Sequence, residues 1–241
     1  MINAVSDSIP DWHNHRMPDG GPVYAETGGE GLLVEPWNSI TSLLMLIPVI
    51  YWFIRIRKET GDYKFMLYAI PLMALGGIGS ALFHGFRASV AFLIMDVAPS
   101  ALLTLSLAIY FWYKLLRKWY WVLILFVPMF LMRFVIFTAL PGHLAINVSY
   151  AITGATILLP IPFLLYRMKY KGLWSITLTL FSFGLALMFR EADARAAVYF
   201  SVGTHFLWHV FSAIGGYFML QYLYIFRQAE LGLDASPSLK D

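Results

Sequence analysis

Seven apolar stretches interrupt the polarity of this chain, at about Pro36–Ile54, Phe65–Phe86, Ala88–Tyr113, Trp119–Leu140, Leu144–Tyr166, Leu173–Phe189 and Val198–Phe226. A helix that crosses a bilayer needs roughly 20 apolar residues, and each stretch reaches that scale, the sixth being short. The alternating ten-residue segments of a membrane barrel are absent, so helices are predicted throughout. Pro48, Pro71, Pro99, Pro128, Pro160 and Pro162 fall inside the stretches, where membrane helices tolerate proline better than soluble ones do. The pattern predicts an all-α integral membrane protein with seven transmembrane helices. A polar segment over 1–34, a helical domain over 35–227 and a tail over 228–241 complete the organisation. The first segment lacks the basic start and apolar core of a signal peptide, so it is read as part of the mature protein.

Composition agrees with the pattern. Of 241 residues, 59% are hydrophobic and 13% charged, against about 45–50% and 25% in soluble domains. The net charge of +3 needs no nucleic acid to explain it, because the basic residues are sorted by side. Arg55, Arg57, Lys58, Lys64, Lys114, Arg117, Lys118, Arg167, Lys169, Lys171, Arg227 and Lys240 share one side; Arg16, Arg87, Arg190 and Arg195 share the other. Excess Lys and Arg marks the cytoplasm, which places the N-terminus outside or in a lumen and the C-terminus in the cytoplasm. No organelle signal distinguishes plasma membrane from endomembrane. The chain has no cysteine, which excludes disulfides, thiolate metal sites and thiol catalysis.

Ionisable residues within spans are costly and mark functional sites. Here they are Glu35, His84, Asp96, Arg133, His205 and His209, accompanied by the polar Asn38 and Ser80. Ser80 and His84 are four apart, as are His205 and His209, so each pair shares one helix face. At 1.5 Å per residue, His84 and Ser80 lie roughly 5–10 Å below the outer end of their stretch, Asp96 roughly 12 Å and the later histidines roughly 10–17 Å. With Asn38 a turn inside the first stretch from the same side, four helices thus place polar groups in the same half of the membrane. Three histidines with no cysteine describe an open tetrahedral zinc site with a position left for water. The plainer alternative is that each histidine hydrogen-bonds a neighbouring helix. Zinc would lower the pKa of a bound water to about 7. Asp96 could take its proton or orient a ligand histidine. Ser80 could donate to a developing oxyanion or bond back to its own helix. Glu35 and Asn38 could simply cap the first helix. Arg133 is expected to snorkel or to pair with Glu191, Asp193 or a substrate head group; Glu191 and Asp193 otherwise read as a solvated loop. Phe206 and Trp208 could line an acyl-chain cavity.

Glu35-Pro-Trp-Asn38, Ser80-x-x-x-His84, Asp96 and His205-x-x-x-His209, in this order, resemble the alkaline ceramidases. These sit within the seven-helix metal-dependent hydrolases that include adiponectin-receptor-like and GPI-lipid-remodelling proteins. The resemblance covers about residues 11 to 227. It implies a zinc amidase that hydrolyses the N-acyl bond of ceramide, or a similar membrane lipid, to a sphingoid base and a fatty acid. His84, His205 and His209 would bind zinc, Asp96 would handle the proton and Ser80 would support the oxyanion. A lumenal N-terminus also matches that branch. The family further binds calcium near its N-terminus, which implies Asp11, Trp12, Asn14 and Glu35 as ligands here, with Asn38 in support. The chain departs from that motif at Asn14 and Arg16, leaving Asp19, Glu26 or Glu30 as replacements. Calcium needs six to eight oxygens. The alternatives are a lipid ester hydrolase and a seven-helix receptor with structural zinc.

Overall fold

The computed structural model describes residues 17–28 and 31–232, and among them every regular element is a helix. They are α1 (Pro36–Ser42), α2 (Leu46–Ile56), α3 (Lys64–Phe86), α4 (Val90–Leu116), α5 (Trp119–Ala139), α6 (Gly142–Leu158), α7 (Ile161–Arg167), α8 (Leu173–Ala196) and α9 (His205–Glu230). A 3₁₀ turn over Leu43–Met45 joins α1 to α2. Pro48 has no N–H to offer the Leu44 carbonyl, which accounts for the tightened turn just before it.

Five helices are long and apolar enough to cross a membrane: Pro36–Ile56, Lys64–Phe86, Val90–Leu116, Trp119–Ala139 and Leu173–Ala196. This is a multi-pass membrane protein. Lipid explains why Phe130 and Phe134 of α5 are 75% and 71% exposed, a surface that water would penalise. The sixth stretch is longer than its apolar residues suggest, because α8 continues through Arg190-Glu191 to Ala196. The fifth is split, with α6 ending and α7 beginning at Leu159-Pro160. The seventh is helical only from His205: residues 198–204 form turns, with Gly203 at a φ of +62°. His205 therefore opens α9 instead of lying 10 Å down it, and His209 follows one turn later.

The chain forms two compact units, Ala101–Lys171 and the residues on either side of it. Within Ala101–Lys171, Trp112 Nε1 donates to the Thr156 carbonyl at 2.8 Å, and Arg133 donates to Ser149 Oγ. Arg133 thus takes a hydroxyl partner on α6.

The other unit contains the candidate site, and small residues set its helix contacts. A Cβ on Gly79 would lie 2.1 Å from the Met95 carbonyl oxygen, so α3 and α4 cross backbone to backbone. Gly77 and Gly216 make room for the side chains of Met45 and Met73. Close approach through small residues is how helices associate in lipid, where no hydrophobic drive acts between them.

Candidate metal centre

Two helix ends meet at the site. His84 is two residues from the end of α3, and His205 and His209 occupy the first two turns of α9. All three are buried. Their ring centroids are 5.3 Å apart for His84 and His205, 4.9 Å for His84 and His209, and 5.0 Å for His205 and His209. One nitrogen from each ring lies within 4.8 Å of the other two. His205 Nδ1 and His209 Nε2 have no hydrogen-bond partner. A buried polar atom left in that state costs about 1–3 kcal/mol, so the pair calls for a ligand. His84 Nδ1 hydrogen-bonds Glu35 Oε2. An ionised carboxylate only accepts, so Nδ1 is the donor in this bond and Nε2 is the nitrogen left to face a metal. The three rings fit a single metal ion.

Ser80, one turn before His84, accepts a hydrogen bond from Ser42 Oγ at 3.0 Å. The close crossing at Gly79 brings the Asp96 backbone against the turn that carries Ser80. Ser80 therefore looks across to α4 and α1. All four groups expected from sequence at one level converge, though nearer the helix ends than their spacing implied.

Glu35 is not a helix cap. It stands at the N-cap position of α1 without a side-chain cap bond, and Glu26 does that work, accepting from the N–H groups of Trp37 at 2.6 Å and Asn38 at 2.9 Å. Released from capping, Glu35 receives His84 Nδ1, Asn38 Nδ2 at 3.2 Å, Thr27 Oγ1 and Arg87 Nη1. Arg87 in turn donates to Asp19 from Nε at 2.6 Å and from Nη2 at 3.1 Å, and to the Pro22 carbonyl at 2.9 Å. Burial works to raise the pKa of Asp19, but the Arg87 bonds and the Gly21 N–H outweigh it and hold the carboxyl below its ordinary value. Burial is likewise overruled at Glu35 by His84 and Arg87, and at Arg87 by its two carboxylates, which raise its pKa.

Sequence reasoning missed three further residues. Arg87 counted only as an outer basic residue, yet its side chain is 1% exposed. Asp193 is not in a solvated loop: it is buried near the end of α8. Its Oδ1 accepts from the N–H groups of Thr204 at 2.7 Å and His205 at 2.9 Å, and its Oδ2 from Ala25 N–H at 2.9 Å. Asp193 thus caps α9 where the metal-site residue His205 begins, and ties the N-terminal segment to it. Tyr24 stacks on His205 at 3.9 Å and tilts toward His84 at 5.2 Å, forming one wall of the site. Burial pushes its phenol well above the ordinary range.

Asp11, Trp12, Asn14, Arg16 and Glu30 lie outside the described residues. Phe206 and Trp208 are half-buried, Phe206 against Trp37 at 6.0 Å and Trp208 beneath Arg190 at 5.8 Å. No protein-family model and no curated protein matches the chain.

Proposed function

We propose that this protein is a zinc-dependent amidase that hydrolyses the N-acyl bond of ceramide or a similar long-chain membrane lipid. The observation that carries the reading is the juxtaposition of three buried histidines, two with unpaired ring nitrogens, with Ser80 one turn from His84 and the Asp96 backbone against that turn. Zinc held by His84, His205 and His209 would supply a Lewis acid that polarises a carbonyl and acidifies water. Asp96 accepts the proton of the attacking water and returns it to the leaving nitrogen. Ser80, steadied by Ser42, donates to the carbonyl oxygen as charge builds on it. The membrane-length helices of the chain fit a substrate that arrives from the bilayer. In this reading α6–α7 and α9 complete seven spans, with the N-terminus outside. Epitopes at the two termini, tested for protease protection in sealed vesicles, would report the orientation.

The deciding experiment incubates purified protein with a ceramide panel while its metal is analysed. About one zinc per chain is expected, with sphingoid base and fatty acid released in equal amounts. Lipid bound without turnover would place the protein with receptors, and ester cleavage alone would replace the amide assignment.

A further inference from the structure

We propose that the guanidinium of Arg87 permanently fills the cation position beside Glu35, so that the N-terminal segment closes over the histidines without calcium. The inference rests on the metal-site reading above and is independent of any reaction.

Lone-pair accounting carries it. An ionised carboxylate offers about four acceptor sites, and all four on Glu35 are taken: Oε1 by Arg87 and Thr27, Oε2 by His84 and Asn38. Asp19 spends Oδ1 on Gly21 N–H and Arg87, and Oδ2 on Arg87. Glu26 spends both oxygens on the start of α1. Calcium needs six to eight oxygens, whereas the three described carboxylates around this segment already serve N–H and O–H donors. A divalent ion at Glu35 would also sit against a buried guanidinium of like charge.

The local structure is shaped around the arginine. Arg87 adopts a left-handed φ of +47° at the end of α3, a conformation that favours glycine. Its guanidinium carbon lies 4.5 Å from the centre of the Phe83 ring. A Cβ on Gly21 would come 2.5 Å from Phe83 and 3.2 Å from Arg87 Nη2, so the segment over the guanidinium fits only without a side chain there. Arg87 is a positioning residue: it holds Glu35, which in turn holds His84 Nδ1.

The test uses the full chain in detergent, zinc-loaded, in buffer stripped of calcium by chelating resin. Calcium binding is read with ⁴⁵Ca²⁺ and stability by thermal melting, with zinc content measured on the same samples. The wild type is expected to bind no stoichiometric calcium and to melt at the same temperature with or without millimolar CaCl₂. Arg87→Lys should behave alike. Arg87→Ala should melt lower and recover with CaCl₂ but not with NaCl at equal ionic strength. Wild-type binding of one calcium per chain, abolished by Glu35→Gln, would overturn the proposal. So would a folded Arg87→Ala protein that is indifferent to calcium. If Arg87→Ala does not fold, the wild-type measurement decides alone. A wild type without zinc would refute the metal-site reading instead, and zinc content is scored separately for that reason.

Discussion

The two ends of α2, α3 and α9 are closed by opposite chemistries. Where α3 begins and α9 finishes, rings do the work: Tyr63 stacks on Tyr224 at 4.9 Å, Trp52 lies 5.4 Å from Tyr224, and Arg55 sits 4.7 Å over the Tyr224 ring. Arg55 itself remains exposed. Where α3 finishes and α9 begins, Asp19, Glu35, His84, Arg87, His205 and His209 are all buried. Aromatic contacts stabilise a helix end without desolvating a charge. Buried ions cost several kcal/mol each before their partners offset it. The chain carries that cost at one end alone, and there two ring nitrogens remain unpaired. Buried charge marks the candidate functional end; aromatic packing marks the structural one.

The largest expected effect breaks the functional end outright. His205→Ala or His209→Ala should lose the metal and all turnover, as metal analysis and lipid mass spectrometry will show. Asp96→Asn should keep the metal while the single-turnover rate falls on the order of 10²–10⁴. Ser80→Ala should cost roughly 10²–10³ with the metal again retained. Metal loss in Asp96→Asn would make that residue a ligand or an essential support for one.

Asp19→Ala tests the buried ion chain. Removing one partner of a buried pair costs about 3–5 kcal/mol. Because the folded-state pKa of Asp19 lies below its unfolded value, its contribution is full above about pH 4, the ordinary aspartate pKa. It fades as the pH falls through the lower folded value. The melting difference between wild type and variant should therefore hold from pH 7 to 5 and shrink below pH 4. A constant difference across that range would show that Asp19 acts by packing instead of charge.

Asp193→Ala leaves the N–H groups of Thr204, His205 and Ala25 without their acceptor. About 1–3 kcal/mol of stability should be lost, and metal retention should weaken, since His205 is no longer anchored. At the aromatic end, Tyr224→Leu should cost only about 0.5–1.5 kcal/mol beyond the lost area. Metal content there should be unchanged. A metal defect in Tyr224→Leu would show that the two ends are coupled and that their contrast is not a division of labour.

The helices and the metal triad were legible in the sequence because both are local signals. Apolar runs of membrane length announce helices, and ionisable residues inside such runs stand out against their neighbours. His84, His205, His209, Ser80 and Asp96 were found on that contrast. Arg87, Asp19, Glu26 and Asp193 were not, because they lie in or beside polar connections where charge is the ordinary condition. Their roles depend on partners far away in the chain: Asp19 and Arg87 are separated by 68 positions, Ala25 and Asp193 by 168. Hydropathy also carried the last helix back to Val198, whereas the positive φ at Gly203 and the Asp193 cap start it at His205. Sequence alone determined which side chains have chemistry to offer, since residue type and periodicity suffice for that. Only the tertiary structure decided which carboxylate meets which cation, because a hydrogen bond is set by distances that no local pattern encodes.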